Sequence, residues 1–148
     1  MTQYDGNDYR IARAVAGLSQ ERWAEAIGVD ARSVARYEAG ETLPADETVA
    51  RMQEISGLPP LGYWHIKNKC LLAKTELPSI QRVPLAQAVV GLVCAISDFS
   101  EDEKDLLRVV ADGKIDAHEV MTWEQIRGKL DEVVRCALQV KYAEEVEP

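Results

Sequence analysis

Residues that usually carry catalysis or bind metals are scarce in this sequence of 148 residues. The two histidines, His65 and His118, are far apart, and neither belongs to a pattern typical of a nucleophile site. The three cysteines, Cys70, Cys94 and Cys136, show neither CxxC spacing nor histidine companions at zinc-ligand distance. These absences predict a protein that is not an enzyme, binds no metal and no cofactor, and has its three cysteines as reduced residues of the core.

Long apolar runs are absent as well. No segment approaches the roughly 18 apolar residues that a membrane-spanning helix needs. The first residues, Met1–Asp8, are polar and acidic, unlike a basic leader followed by an apolar stretch. We therefore expect a soluble cytoplasmic protein without a membrane contact, and 47% hydrophobic residues are enough for a core in one or two small domains.

Positive charge is in deficit, with 17 Lys and Arg against 25 Asp and Glu and a net charge of −8. Through residue 70 there are eight basic and ten acidic residues, so the balance is −2; the remainder carries −6. Lys and Arg that neutralise phosphates supply most non-specific affinity for nucleic acid. A DNA-binding role therefore predicts modest and strongly salt-dependent affinity, and the acidic surplus lies mainly in the second half.

Helical periodicity and turn residues divide the first half into five short helices. Ser19 and Asp30 are suited to cap the second and third helices, and Gly28 lies in the short turn between them. We predict helices over Tyr9–Gly17, Gln20–Ile27 and Ala31–Ala39, from Pro44 to about Ile55, and over Leu61–Lys69. The domain is assigned to residues 5–70.

The second half also has helical patterns throughout. Residues 71–83, with Pro78, have the composition of a linker, and residues 84–148 are predicted to form a helical domain of about three helices. Pro84 opens the first helix, through about Asp98, with apolar residues at 85, 89, 92 and 96 on one face. Capping boxes at Ser100/Glu103 and Asp116/Glu119 begin helices over about 101–110 and up to about 143.

The last helix has apolar residues at alternating steps of three and four, the pattern of a coiled-coil seam. The seam consists of Trp123, Ile126, Leu130, Val133, Ala137 and Val140. Such a pattern also occurs where helices pack inside one chain. Both uses are open, packing within the domain or formation of a homodimer.

The segment Leu18–Pro44, LSQERWAEAIGVDARSVARYEAGETLP, resembles the Xre-like phage-repressor family nearly end to end. It has the Ser-Gln start, the Ala-Glu-Ala-Ile-Gly turn, the Tyr-Glu-x-Gly exit and the proline before the fourth helix. The resemblance covers about residues 8–67 and implies a five-helix domain that binds operator DNA, usually as a dimer on paired half-sites. The second half, with DGKID at 112–116, is similar to the helical tails of prophage-like regulators.

Site residues follow from this resemblance position by position. Gln20 matches a phosphate contact at the head of the second helix, where the helix dipole favours an anion. Arg32 and Arg36 match outward positions of the recognition helix that meet base edges, as does Ala31 with an apolar contact. The predicted DNA-binding set is Ser19, Gln20, Ala31, Arg32, Ser33 and Arg36. Arg13 and Glu38 match an internal salt bridge.

One departure concerns Glu41, because relatives often place Lys or Arg in this loop and a carboxylate there repels phosphate. The sequence therefore favours an all-α DNA-binding transcriptional regulator with double-stranded operator DNA and a second copy as partners. Two alternatives stay open: an antitoxin whose acidic second half binds a toxin, and a protein-interaction module that has lost DNA binding.

Overall fold

The computed structural model describes residues 8–143, in which nine helices and no strand occur. The all-α prediction is confirmed. The chain divides between Leu77 and Pro78 into two compact units. Unit 1 contains α1 (Asp8–Ala16), α2 (Gln20–Ile27), α3 (Ala31–Glu38), α4 (Asp46–Ser56), α5 (Leu61–Lys69) and α6 (Leu71–Glu76); unit 2 contains α7 (Leu85–Glu101), α8 (Glu103–Val109) and α9 (Val120–Lys141).

The core of unit 1 is built by the first five helices, and α1 packs against α3, α4 and α5. Trp23 is the large aromatic residue among its fully buried side chains, and most of the others are aliphatic. Pro44, expected in the first turn of the fourth helix, lies two residues before α4 and is itself fully buried. The members with the largest side chains are Trp23, Ile27, Val34, Met52, Leu58 and Leu61.

A polar network that is buried at Tyr9 and His65 and exposed at Asp46 and Lys69 joins α1, α4 and α5. The Tyr9 hydroxyl lies 2.8 Å from Nδ1 of His65, and Nε2 of His65 lies 2.9 Å from Oδ1 of Asp46. Lys69 donates to the same carboxylate at 2.5 Å. Hydrogen bonds from Lys69 and His65 lower the pKa of Asp46. Since Tyr9 and His65 are almost completely buried, their mutual hydrogen bond satisfies polar groups that would otherwise be costly inside the core.

The stretch predicted as a linker is partly helical, because its first six residues form α6. The Lys67 ammonium donates to the carbonyls of Lys74, at 3.3 Å, and Leu77, at 2.6 Å. Carbonyls at a helix C-terminus lack partners within the helix, so this lysine stabilises the end of α6. Lys67 and Leu77 are ten residues apart, so the periodicity of residues 71–76 alone does not indicate their contact.

Unit 2 is organised around an antiparallel pair, α7 and α9. Ala88 near the start of α7 clusters with Ala143 just after α9, and the Lys129 ammonium donates to the carbonyl of Asp98 near the end of α7. Lys129 also pairs with Asp102 at 2.7 Å. Near the middle of the pair, a Cβ at Gly91 would lie 3.9 Å from Sγ of Cys136, an ordinary contact distance, so an alanine would also fit there.

The three cysteines differ in burial. Cys136 is buried, but Cys70 and Cys94 are exposed, so the prediction that all three are core residues was wrong for these two.

The two predicted capping boxes have different outcomes. Ser100 lies inside α7, where its hydroxyl donates to the carbonyl of Ile96 at 2.8 Å, so α7 continues to Glu101 and this prediction was wrong. At the second box, the Asp116 amide donates to Glu119 and the Glu119 amide donates to Asp116, both at 3.1 Å. This reciprocal pair forms one turn before α9 begins.

Candidate nucleic-acid interface

Local hydrogen bonds set the ends of α2 and α3. The Ser19 hydroxyl accepts from the Arg22 amide at 3.3 Å at the start of α2. Gly28 ends α2 in the left-handed conformation, with φ of 76°. Asp30 then caps α3, because its carboxylate accepts from the Ser33 amide at 2.8 Å and from the Ser33 hydroxyl at 2.9 Å. The result is two helices joined by a short turn, with α3 in fixed register.

Arg51 of α4 contacts the end of α2 and stabilises the turn between α2 and α3. Its Nη1 donates to the carbonyl of Ile27 at 3.0 Å, and its Nε donates to the carbonyl of Glu47 at 3.4 Å. A Cβ at Gly28 would lie only 2.8 Å from that same Nη1. Glycine is favoured at this position by the positive φ, and a Cβ there would also displace the end of the flexible Arg51 side chain.

The inner faces of α2 and α3 determine which side chains face solvent. Trp23 and Ile27 of α2 and Val34 of α3 are completely or almost completely buried. Since Val34 points inward, Arg32 and Arg36, two residues before and after it, lie on the solvent side and are exposed. Ala31 and Ser33 are half-buried. The predicted positions thus include two exposed arginines one helical turn apart.

Arg36 has an acidic neighbour beyond the end of α3. Its Nε lies 3.6 Å from Oε2 of Glu41, and both side chains are more than half exposed. An exposed ion pair of this length contributes little to stability. It does place a carboxylate beside one of the two arginines, so part of the positive charge of α3 is compensated within the chain.

Arg13 and Glu38 form the ion pair that the family resemblance implies. Arg13 Nε and Nη2 donate to the two carboxylate oxygens of Glu38, at 2.5 and 3.0 Å, and Nη1 donates to the carbonyl of Leu18. Gln20 Nε2 also donates to Glu38, at 2.9 Å. The glutamate therefore connects α1, the start of α2 and the end of α3. The Gln20 side chain is expected to contact phosphate, but it donates one of its two amide hydrogens to Glu38.

The Glu38 side chain is only 7% exposed, so its charge depends on its hydrogen-bond partners. Burial raises its pKa, but hydrogen bonds from Arg13 and Gln20, together with the charge of Arg13, outweigh burial and hold the pKa below its usual value. The carboxylate thus has one arginine and one amide as fixed partners. Its role in the described part of the chain is to hold α3 in place.

Replacing Glu38 by alanine is expected to lower the free energy of unfolding of unit 1 by about 2 kcal/mol, because Arg13 loses its partner in a site that is only 19% exposed. Urea denaturation followed by tryptophan fluorescence checks this in a Trp123→Phe background, where Trp23 and Trp64 of unit 1 are the remaining indoles. Glu25→Ala, at an exposed position of α2, is the matched control. Equal loss in both variants would contradict a bracing role for Glu38.

The predicted seam residues lie in unit 2 and differ in burial. Ile126 is fully buried, and Trp123, Val133 and Val140 are half-buried. Leu130 and Ala137 are exposed. The seam therefore divides into positions used for packing inside unit 2 and positions left open to solvent.

No group of three or more His, Cys, Asp or Glu side chains among residues 8–143 is arranged to hold a metal ion. No helix in this range combines the length and apolar character needed to cross a membrane.

Comparison with known proteins gives one match. Residues 10–61, about a third of the chain, match the family model described as a helix-turn-helix domain. This range begins in α1 and ends at the start of α5, so it contains α2, the turn and α3. Neither the comparison with curated proteins nor that with solved structures found a match. Residues 10–61 thus form a helix-turn-helix domain.

Proposed function

We propose that this helix-turn-helix protein is a sequence-specific regulator of transcription that inserts α3 into the major groove of double-stranded DNA. The observation that carries the proposal is the pair Arg32 and Arg36, exposed one turn apart on a helix whose other face is fixed by the core. In helix-turn-helix proteins the second helix lies in the groove while the first crosses the backbone. We therefore expect α3 to be the helix that contacts the base edges.

The side chains on α3 suit particular base edges. Arginine can donate two parallel hydrogen bonds to O6 and N7 of guanine, the commonest specific contact in the major groove. Ala31, at the start of α3, offers a methyl group to a thymine methyl. Ser19 and the amide groups at the start of α2 suit a phosphate, because the helix dipole favours an anion there. Gln20 has a second amide hydrogen that can contribute.

DNA binding through α3 agrees with a repressor of the phage type. The likeness of Leu18–Pro44 to Xre-like repressors supports a repressor from a prophage or mobile element, acting on operator DNA in the cytoplasm. Such repressors bind paired half-sites about one DNA turn, roughly 34 Å, apart. We therefore include a homodimer in the proposal.

The test is selection of duplexes from a random pool by the full chain, followed by fluorescence anisotropy with the selected duplex at about 50 and 200 mM salt. We expect one sequence to be enriched and its affinity to fall steeply with salt, since few arginines must supply the phosphate contacts. A folded protein that enriches no sequence and binds no duplex at low salt would contradict the proposal.

Replacing Glu41 by glutamine is expected to tighten binding to any duplex by roughly 3- to 10-fold at low salt, because a carboxylate near phosphate is removed and Arg36 is released. Anisotropy at the two salt concentrations measures the change. Arg36→Ala with and without Glu41→Gln separates the two causes. An unchanged affinity in Glu41→Gln would show that this loop lies away from the DNA.

One observation favours a second candidate. Beyond residue 70 the chain carries a balance of −6, which suits a basic protein partner such as a toxin bound by an antitoxin. A protein-interaction module without DNA binding would make the same use of acidic surface. Failure of the DNA test, together with salt-dependent capture of a basic protein encoded beside this chain, would favour these alternatives.

A further inference from the structure

Two cysteines of unit 2 lie on the same side of the α7–α9 pair. Cys136 of α9 is buried, and its Sγ would lie 3.9 Å from a Cβ at Gly91 of α7. Cys94 of α7 is exposed and follows Gly91 by three positions. Residues three or four apart are neighbours on a helix surface, so Cys94 lies beside the contact between Gly91 and Cys136.

Contacts on both sides of Cys94 fix its level along α9. Gly91 faces Cys136, and seven positions later on α7 the carbonyl of Asp98 accepts from Lys129, seven positions earlier on α9. In this antiparallel register Cys94 faces about residue 133. Its level differs from that of Cys136 by three residues, or roughly 4.5 Å of helix rise, which is less than one turn. Both thiols therefore lie in the same section of the helix pair.

The neighbours of Cys136 suit a thiol that gives up its proton. Nη2 of Arg135 donates to Sγ at 3.3 Å, and the thiol donates to Oε1 of Glu132 at 3.6 Å. A guanidinium stabilises a thiolate, and a carboxylate can accept the proton. Burial raises the pKa of the Cys136 thiol, the charge of Arg135 lowers it, and the charge of a Cys94 thiolate raises it. The two sulfurs are thus within electrostatic reach of each other.

The two thiols differ in access from solvent. Cys136 is only 3% exposed, although it borders a groove on the surface of unit 2. Other residues that line this groove are Gln87, Gly91, Arg135 and Gln139. A reagent as large as a tripeptide therefore meets the exposed Cys94 first, and Cys136 is placed to react with whatever becomes attached to Cys94.

We propose that Cys94 and Cys136 form a reversible disulfide within one chain when the protein meets a low-molecular-weight disulfide such as oxidised glutathione. The Cys94 thiolate attacks one glutathione sulfur, and the other glutathione leaves as a thiolate. The Cys136 proton passes to Glu132 and on to solvent, and the Cys136 thiolate attacks the sulfur of Cys94 and releases the second glutathione. Two protein thiols are oxidised, one glutathione disulfide is reduced, and the two glutathione thiolates take up the two protons.

The consequence of this bond is confined to unit 2. It would join α7 to α9 and close a loop that contains α8. Cross-links of this kind stabilise a fold mainly because they constrain the unfolded chain. The redox state of the surroundings would therefore set the stability of unit 2. The inference goes beyond the proposed function and does not depend on DNA binding.

The test uses the full chain with Cys70→Ser, which removes the third thiol, and follows its mass after addition of excess oxidised glutathione and quenching with acid. We expect a product lighter than the reduced chain by two hydrogen atoms, with a glutathione adduct only as an intermediate. Cys136→Ser is the matched control and is expected to stop at the adduct on Cys94. Cys94→Ser is expected to react at least about 10-fold more slowly, because its remaining thiol is buried.

A second pair of variants tests the part played by the arginine. Arg135→Gln is expected to slow the conversion of adduct to disulfide by roughly 3- to 10-fold, because the Cys136 thiolate loses its positive neighbour. Arg127→Gln is the control, since Arg127 has a similar ion pair with Glu124 on the same helix and should leave the rate unchanged. Equal slowing by both variants would contradict a role for Arg135 in this step.

Three results would overturn the proposal: a chain that is not modified, an adduct that accumulates to the same level with and without Cys136, or disulfides that form between two chains and not within one. Circular dichroism establishes that each variant is folded. Addition of excess reduced glutathione is expected to restore both thiols, and a product that resists it would contradict reversibility.

Discussion

Replacing Arg32 by alanine is expected to weaken binding to the selected duplex by roughly 10- to 100-fold and to relax the preference at one guanine, since a bidentate contact is worth about 1–3 kcal/mol of discrimination. Affinity for unrelated duplexes should fall far less. We expect the fold to be unaffected, because Arg32 lies on the exposed side of α3. Anisotropy against the selected duplex and single-base variants of it measures both effects.

The control for this prediction removes the same charge elsewhere. Arg127 of unit 2 is 56% exposed, and Arg127→Ala changes the net charge by the same amount. It is expected to alter specific and non-specific binding equally and slightly. If Arg32→Ala and Arg127→Ala weakened binding to the selected duplex to the same degree, α3 would not be the element that reads the bases.

Replacing Asp8 by asparagine is expected to stabilise unit 1 by up to about 4 kcal/mol at pH 8 and to have little effect near pH 4. Burial raises the pKa of Asp8 from 3.8 to about 7, and its Oδ2 has no hydrogen-bond partner among residues 8–143. The folded state therefore binds a proton more tightly than the unfolded state. Stability of the wild type falls as the pH rises from about 4 to 7, at roughly 1.4 kcal/mol per pH unit, and then levels off.

The measurement is urea denaturation at pH 4, 6 and 8, again with Trp123→Phe so that fluorescence reports on unit 1. Glu25→Gln, at an exposed position, is the control and should show no stabilisation that grows with pH. If the free energy of unfolding of Asp8→Asn differed from that of the wild type by the same amount at all three pH values, Asp8 would not be a buried carboxyl that is neutral below pH 7.

Features that depend on neighbouring residues were predictable from the sequence. The bounds of α2, Gln20–Ile27, agree with the prediction, because Ser19 and Gly28 specify its two ends through local hydrogen bonds and a positive φ. The same holds for the start of α3 at Ala31, which Asp30 caps. The solvent side of α3 also follows from periodicity, once Val34 is placed in the core.

Features that depend on distant residues were not predictable. The bonds from Gln20 to Glu38 and from Arg51 to Ile27 join positions 18 and 24 residues apart, and no local pattern marks them. On α7 the pattern identified a shared apolar face correctly, but periodicity cannot tell which face a neighbouring helix covers. On this helix the small residues Ala88 and Ala95 are buried, whereas the larger Val89 and Ile96 are exposed to solvent.

The central claim, that α3 reads DNA, is tested most directly by titrating the isotope-labelled full chain with the selected duplex and following its backbone amide signals by nuclear magnetic resonance. We predict the largest changes in chemical shift at residues 31–36 of α3 and at Ser19 and Gln20, with specific loss of the α3 changes when one guanine of the duplex is replaced. Saturable binding with changes confined to unit 2, and none in α2 or α3, would contradict the account.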